Sequence, residues 1–229
     1  MAIHPRAVGQ RQVAARPQLA PLLDARARTV SLGIDRSLPL ADPLAPLFPR
    51  GLPRGSTVVI TPRSGITIGL ALTAKASARG CWCAVAGVAD LGACCATELG
   101  VRLDRLVIVP NPGPLWPEVA AELLEHADMV LVRPWGKASG SVARQLAARA
   151  RRYGSVLVVL SGPAWPETPD VVLDALKGTW QGLGGDDRPS RGHLYGRLAE
   201  VSASWRRGHP DTLYCSLWLP SPDGMLAPA

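Results

Sequence analysis

The chain has 229 residues, of which 47% are hydrophobic and 19% charged, so it can bury one substantial core and is not disordered as a whole. Its apolar runs are far shorter than the ~20 residues that a membrane-spanning helix needs, and its first residues lack the apolar core of a secretory signal. The 5 cysteines support neither a disulfide framework nor a zinc site with paired halves, and the 4 histidines show no metal-ligand spacing. We therefore expect a protein without a membrane segment, located in the cytoplasm and able to associate with the nucleoid.

The formal net charge of +7 suggests a polyanionic partner, yet all but three of the 25 basic residues are arginines. GC-rich coding produces the same skew, because it raises the arginine count without any contact to DNA. A nucleic-acid footprint and a generally basic, solvated surface therefore both stay open as explanations of the charge.

Residues 1–36 are predicted to form a basic, partly flexible arm, because arginines far outnumber acids there and three prolines interrupt any long helix. Within this arm, leucines at helical spacing predict one short amphipathic helix over residues 18–28. The proline-rich stretch 38–53 is typical of an extended connector.

From residue 56 onward, short β-branched or apolar runs alternate with alanine-rich segments of helical period, a pattern that indicates βαβ units around a parallel sheet. The expected strands are 57–61, 82–87, 106–109, 129–132 and 155–160. The expected helices are 67–79, 91–99, 117–126 and 139–153. Because the run 156–160 is apolar at every position, the sheet should be covered on both faces, which gives a three-layer α/β core.

The pattern of apolar and polar residues changes after Pro169. Segments 171–181, 192–205 and 212–219 alternate apolar and polar residues between clusters of Gly, Asp, Pro and Ser, as antiparallel strands at a sheet edge do. We expect them to extend the mostly parallel sheet, so that one domain covers residues 37–219 and residues 220–229 form a frayed, flexible tail.

The loop after the first strand of such a sheet is the usual phosphate site, since it aims backbone N–H groups and a helix N-terminus at an anion. A working P-loop reads G-x-x-x-x-G-K-[ST]. In this chain Thr61 stands at the first Gly position, the loop through Ser64 is one residue short, and Ile66 stands at the Lys position. Only Gly65 and Thr67 remain of the motif.

Two further positions at which an ATPase carries active-site residues also differ in this chain. The apolar strand that should end in a magnesium-positioning Asp ends in Arg133, and a cation there repels magnesium. The first acid after the second strand is Asp90, which can activate water, although the interpretation as a cap or first-turn acid of the next helix is favoured.

Four segments, taken in order, resemble the RecA ATPase core: the "GLP-x-G" start of residues 51–60, the P-loop remnant Ser64-Gly65, the "ELGV-x-LD-x-L" stretch of residues 98–106, and residues 127–132. The resemblance covers roughly residues 38–165 and, more loosely, the strands to 219. A RecA protein would keep Lys at position 66, Glu near position 88 and Asp at position 133.

A short, arginine-rich chain of this kind with all three positions lost is most similar to the actinobacterial ImuA-type (ImuA-prime) proteins. That resemblance implies a DNA-damage-inducible accessory protein of translesion synthesis and induced mutagenesis. The implied partners are the Y-family-like adaptor ImuB and, through it, an error-prone C-family polymerase, together with DNA and self-association. No catalytic residue and no cofactor carries over from the family, so we predict a protein that is not an enzyme.

Two alternatives of other classes remain open. The first is an active ATPase with an unconventional site, in which Lys75 or Lys137 would replace the missing P-loop cation. The second is a damage-inducible cell-division inhibitor, since those proteins are also shrunken RecA-like folds. Filamentation on overexpression favours the inhibitor, and loss of induced mutagenesis on deletion favours the translesion role.

Trp135 and Trp165 follow the carboxyl ends of the fourth and fifth strands, where open α/β sheets bind partners. Tryptophan is a frequent hot-spot residue, so the two rings are candidates for adaptor binding. The favoured explanation, however, is that both rings cover the core beneath their loops.

The last alternating strands carry a basic cluster with one aromatic ring, a combination that suits single-stranded DNA. Its candidate DNA-binding residues are Arg188, Arg191, Arg197, Trp205, Arg206 and Arg207. Solvated edge-strand charges that prevent aggregation are an equally good explanation of the arginines.

Overall fold

The computed structural model describes residues 36–62, 65–160, 164–183, 192–208 and 211–229. The predicted arm and its helix over residues 18–28 lie outside the described residues. Within the described ranges, every helix is too short or too polar to cross a lipid bilayer.

Eleven strands and four α-helices make up the described fold. The strands are β1 (Ser37–Leu38), β2 (Leu52–Pro53), β3 (Thr57–Ile60), β4 (Cys83–Ala86), β5 (Leu106–Val109), β6 (Met129–Val132), β7 (Val156–Leu160), β8 (Val171–Leu183), β9 (Gly192–Trp205), β10 (Leu213–Trp218) and β11 (Ala227–Pro228). The helices are α1 (Gly65–Ala78), α2 (Ala93–Glu98), α3 (Trp116–His126) and α4 (Gly140–Tyr153).

Nine of the strands form one sheet in the order β11-β10-β9-β8-β3-β7-β6-β4-β5. Strands β3 to β8 pair in parallel, whereas β9, β10 and β11 add to β8 as an antiparallel extension. The predicted mostly parallel sheet with antiparallel C-terminal strands is therefore confirmed.

Side chains of the parallel strands alternate between two apolar cores. Val58 and Ile60 of β3 point to the core beneath α1 and α2, while Val59 between them points to the core beneath α3 and α4. The other central strands alternate in the same way, as the two-residue period of a strand requires. Each face must be covered because both are apolar, so the three-layer arrangement follows.

Helix α4 shows how the sequence sets an element's ends. The Ser139 hydroxyl accepts a hydrogen bond from the Val142 N–H at the first turn, and Gly154 ends the helix in the left-handed region with φ +64°. Arg151 and Arg152 lie in the last turn, where cations interact favourably with the helix dipole.

Two sequence predictions about the flanks are wrong. The segment 38–53 is not simply extended, because residues Asp42–Leu47 form a 3-10 helix whose Leu44 and Leu47 are buried in the core under α1. The tail is not frayed throughout, because Ala227 and Pro228 pair with β10 and Ser221 is buried. Both segments contain several prolines, which predict irregular chain whether or not that chain packs against the core.

A buried carboxylate ties together the amino edge of the sheet. Asp128, which is 1% exposed, accepts a hydrogen bond from Arg54 Nη1 at 2.8 Å and another from the Trp82 N–H at 2.9 Å. The same guanidinium nitrogen donates to the Gly154 carbonyl at 3.3 Å. Through these contacts the start of β4, the start of β6 and the end of α4 are fixed to the turn before β3.

We expect Asp128→Asn to lower the free energy of unfolding by about 3 kcal/mol, because the charge of Arg54 would lose its buried counter-ion. Urea unfolding followed by circular dichroism measures the change. Asp104→Asn is the matched control, since the Asp104–Arg102 pair is exposed and should contribute nothing measurable. Equal effects of the two substitutions would contradict the assigned role of Asp128.

Candidate functional site

The loop that follows β3 is tied to β8. The Thr61 N–H donates to the Leu173 carbonyl at 3.0 Å, and the Thr61 hydroxyl donates to the Asp174 carboxylate. The position of the first P-loop Gly therefore holds a side chain that binds an acid of the neighbouring strand. A carboxylate so close to the loop disfavours a phosphate there by like-charge repulsion.

Helix α1 begins where a P-loop helix would begin, but its first turn is apolar. Gly65 is buried, and Ile66 packs against the core beneath α1. Thr67 is half-buried, while Arg63 and Ser64 lie outside the described residues. Ile66 thus contributes packing at the position where a P-loop would carry its cation.

Arg133 forms an ion pair across the carboxyl edge of the sheet. Its Nη1 lies 3.0 Å from Asp90 Oδ1, which joins the end of β6 to the loop after β4. Hydrogen bonding to its own backbone and the Arg133 guanidinium together lower the pKa of Asp90. The predicted helix-cap role of Asp90 is wrong, because α2 starts at Ala93 and its N-cap residue is Gly92.

A glycine allows β4 and β6 to approach at this edge. Gly87 has φ +79°, and a Cβ built on it would lie 2.3 Å from the Arg133 carbonyl oxygen. Any larger residue would therefore push the backbone of Arg133 away. The ion pair of Arg133 with Asp90 is held by a backbone contact that only glycine permits.

The two lysines considered as replacement cations both lie outside the first turn of α1. Lys75 is near the C-terminal end of α1 and pairs with Asp42 of the 3-10 helix. Lys137 lies in the exposed loop between β6 and α4. Lys75 is therefore too far along its helix to act at the first turn.

The two candidate partner-binding tryptophans have opposite surroundings. Trp165 is 7% exposed and packs in the core beneath α3 and α4, as the favoured explanation predicted. Trp135 is 68% exposed in the loop after β6, so that explanation is wrong for this ring. Only Trp135 of the pair is available to a partner.

Among the residues that the structure describes, the candidate DNA-binding cluster does not form one patch. Trp205 donates its indole N–H to the Leu47 carbonyl at 3.1 Å and packs edge-on against Phe48, so its ring anchors the N-terminal segment. Arg206 pairs with Asp170 at 3.0 Å, while Arg207 is exposed. These contacts give Trp205 a structural role, and its use as a stacking ring for DNA stays a prediction.

Arg197 lies far from these residues. From Arg197 to Trp205 the strand β9 covers roughly 26 Å at ~3.3 Å per residue. Arg188 and Arg191 fall outside the described residues. Closeness in sequence was misleading here, because a long extended strand separates residues that a helix or turn would bring together.

Arg197 instead lines a cavity of about 510 Å³ between the first turn of α1 and the ribbon of β8 and β9. The residues that line it are Thr67, Ala175, Leu176, Lys177, Gly178, Trp180 and Arg197. Sequence reasoning missed Lys177 and Trp180. The one available signal was the interruption of strict alternation near Leu176, where a bulge shifts the pairing of β8 with β9.

Comparison with known proteins identifies the family of this chain. A family model described as the MT3502 N-terminal domain matches residues 46–167, which is more than half of the chain. The chain belongs to this family. The MT3502 N-terminal domain match runs from the 3-10 helix through β7 and stops before β8, so the antiparallel extension and the cavity's β8 and β9 residues lie beyond it.

One similar protein is the uncharacterized protein Rv3395c of Mycobacterium tuberculosis (strain ATCC 25618 / H37Rv). It is 35% identical over 120 residues, which are 52% of this chain and 58% of the relative. The matched region therefore spans less than two thirds of the relative's length. Both findings fit an actinobacterial family.

We expect the double variant Ile66→Lys/Arg133→Asp to show no saturable ATP binding, because the loop would remain one residue short and Thr61 would still bind Asp174. Isothermal titration calorimetry with Mg²⁺-ATP measures this. The single variant Ile66→Leu keeps an apolar residue at the position and serves as the control for folding. Saturable binding by the double variant, but not by Ile66→Leu or the unmodified chain, would contradict this expectation. It would show that only two side chains separate this loop from a nucleotide site.

Proposed function

We propose that this chain is a non-catalytic, RecA-like accessory protein of DNA damage tolerance that acts by binding. Its partners in this proposal are an ImuB-like polymerase adaptor, through it an error-prone C-family polymerase, and DNA. The observation that carries the proposal is the state of the phosphate loop, where Thr61 and Ile66 are each engaged in contacts that phosphate chemistry does not need.

Phosphoryl transfer depends on positioning and on charge that neutralises the transferred group. In the loop of this chain, the Lys position is an isoleucine packed in a core, and the magnesium position is an arginine paired with Asp90. The carboxylate of Asp174 adds negative charge beside the loop. Ile66 and Asp174 disfavour a triphosphate, and Arg133 disfavours Mg²⁺, which together support a pseudo-ATPase.

The carboxyl edge of the sheet offers exposed apolar residues for a protein partner. Trp135 follows β6 and is 68% exposed, and Leu115 follows β5 and is 63% exposed. Both strands pair with β4, one on each side, so their ends lie roughly 10 Å apart. An exposed tryptophan at this edge of the sheet is a residue type that interface hot spots favour.

The family resemblance supplies the class of partner. The ImuA-type resemblance rests on three features of this RecA-like chain, which is short, rich in arginine and without all three RecA active-site residues. The "GLP-x-G" and "ELGV-x-LD-x-L" segments carry the underlying similarity to RecA. Membership of the MT3502 N-terminal domain family and a mycobacterial relative support an actinobacterial lineage for it. Rv3395c is itself uncharacterized, so the adaptor and the polymerase are part of this proposal.

We expect tagged chain from DNA-damaged cells to recover an ImuB-like adaptor and polymerase, and Trp135→Ala to reduce that recovery about tenfold or more, because a hot-spot ring would be lost. Quantitative mass spectrometry of the eluates measures recovery. Tyr214→Ala is the matched control, since Tyr214 is an aromatic residue that is 59% exposed but lies on β10 instead of beside β6.

Two outcomes would contradict this account. Recovery of a tubulin-like division protein in place of the adaptor, with cell filamentation on overexpression, would favour a division inhibitor. Equal recovery of the adaptor by Trp135→Ala and the unmodified chain would place the interface away from the carboxyl ends of β5 and β6.

A further inference from the structure

Exposed arginines collect at the amino edge of the sheet, where the parallel strands begin. Six of those that the structure describes lie outside every ion pair among the described residues. We call this set the basic edge: Arg36, Arg50, Arg79, Arg151, Arg152 and Arg207. We propose that the basic edge binds the phosphate backbone of duplex DNA.

Backbone hydrogen bonds join the strand ends here into one continuous edge. They link the end of β9 to the starts of β8, β3, β7, β6 and β4, in that order. The donors and acceptors are Arg206 to Asp170, Asp170 to Thr57, Gly55 to Ser155, Val156 to Asp128, and Asp128 to Trp82. Steps of ~4.8 Å between neighbouring strands give a length of about 24 Å along the edge. That length matches about seven base pairs of a duplex, at ~3.4 Å per base pair.

Three arginines of the basic edge surround the start of β3. The Arg54 N–H donates to the Arg36 carbonyl at 2.9 Å, which places Arg36 beside the turn into β3. Arg50 comes two residues after Phe48, whose ring packs edge-on against the last residue of β9, and Arg207 follows that strand. All three lie in turns or bends, so attraction to a helix dipole does not explain their position.

The ends of two helices extend the basic edge across the sheet. Arg151 and Arg152 lie in the last turn of α4, and a Cβ built on Gly55 would lie 3.2 Å from the Arg151 Cα. This helix end therefore touches the turn before β3. Arg79 directly follows α1, just before β4 begins. The six arginines thus lie from β9 to β4 along one side of the molecule.

The acids near the basic edge are largely neutralised by other cations. The ion pairs that do this are Arg54–Asp128, Lys75–Asp42, Arg149–Glu125 and Arg206–Asp170. Asp211 precedes β10 and Glu167 precedes β8, and neither forms an ion pair with a described residue. The edge therefore keeps an excess of positive charge, which attracts a polyanion over about 10 Å at 0.1 M salt.

The position of these charges argues against chance enrichment in arginine. GC-rich coding raises the arginine count without favouring any side of the fold. In this structure, exposed arginines from the N-terminal segment, from two helix ends and from the end of β9 meet at one edge, although they are far apart in sequence. Convergence of basic side chains on one edge is the footprint expected for a nucleic acid.

The aromatic residues at this edge favour a duplex over a single strand. Two of the rings each lie beneath a guanidinium: Arg105 lies 5.1 Å from the centre of the Trp82 ring, and Arg152 lies 5.4 Å from that of Tyr153. Cation–π contact of this kind leaves the donors of the arginine at the surface but covers the ring. The bases of a single strand would therefore find little ring surface on which to stack.

The side chains also favour DNA over an anionic membrane. Arginine binds a phosphate through a planar fork of two N–H donors, as backbone recognition requires. A membrane surface additionally favours apolar side chains that insert between lipids. The two most exposed large apolar residues among those described, Trp135 and Leu115, lie at the opposite edge of the sheet.

This inference rests on the proposed function for the choice of DNA as the polyanion. The basic edge lies at the end of the sheet opposite Trp135, the ring assigned to the adaptor. DNA binding and adaptor recovery can therefore fail independently of each other.

The test is fluorescence anisotropy of the full chain with a fluorescein-labelled duplex of about 20 base pairs, repeated over a range of salt concentrations. Arg151→Gln/Arg152→Gln should weaken binding roughly tenfold or more at ~0.1 M salt. The slope of log K against log salt should fall by ~1.8, the value for two lost phosphate contacts on a duplex. Arg50→Gln/Arg207→Gln should have the same effect, because these arginines lie on the other side of the start of β3.

Lys137→Gln/Arg144→Gln is the matched control. It removes two exposed charges at the carboxyl edge, where Lys137 precedes α4 and Arg144 lies near its start. The control should change affinity less than about twofold and leave the salt slope unchanged, because salt screens charges at that distance. Thermal unfolding followed by circular dichroism shows which variants are folded, and two independent edge variants keep the test decisive if one of them does not fold.

The proposal is overturned if the control reduces the salt slope as much as the edge variants do, since a diffuse basic surface would then explain binding. It is also overturned if folded edge variants keep the slope of the unmodified chain. Tighter binding of an oligothymidylate of about 20 nucleotides than of the duplex would assign the edge to single strands.

Two further outcomes separate this surface from other assignments. Co-sedimentation with phosphatidylglycerol vesicles that the edge variants abolish, without measurable duplex binding, would overturn the proposal in favour of a membrane. Adaptor recovery without measurable duplex binding would overturn the basic edge and leave the proposed function standing. Duplex binding that the edge variants weaken, without adaptor recovery, would support the basic edge and contradict the proposed partner.

Discussion

The carboxylate of Asp128 fixes the amino edge of the sheet on which the rest of the molecule is built. It binds Arg54 before β3 and the backbone at the start of β4, and Arg54 in turn reaches the end of α4. Both charged residues lie in segments that carry the RecA resemblance, "GLP-R-G" and "A-D-M-V-L-V". An ion pair with a buried carboxylate is costly to break, so these segments have a structural role of their own.

At the opposite edge, polar groups that could serve phosphate chemistry are paired with one another. Thr61 binds Asp174, and Arg133 binds Asp90. Strand β8 then continues past the end of its partner β3, and with β9 it forms a ribbon that lines one side of an open cavity beside α1. The surface features left open at this edge are the cavity beside α1 and the exposed ring of Trp135.

The central strands and helices were predictable because each carries a local signal. Runs such as β7 are apolar at every position, and Ser139 and Gly154 mark the ends of α4. The candidate site was less predictable, since it depends on pairing between distant residues. Sequence distance suggested that Arg197 and Trp205 act together, whereas one long strand separates them. The bulge at Leu176 and the bare backbone of Gly178, which shape the cavity, become meaningful only once β8 and β9 are paired.

The central claim is that a RecA-like scaffold is used here for binding and not for nucleotide hydrolysis. The most direct test is a calorimetric titration of the unmodified full-length chain with Mg²⁺-ATP, alone and with oligothymidylate present. The account predicts no saturable heat up to about 1 mM ATP, the concentration at which binding weaker than about −4 kcal/mol escapes detection. Saturation in the low micromolar range would contradict it and would show that the loop after β3 still holds a nucleotide.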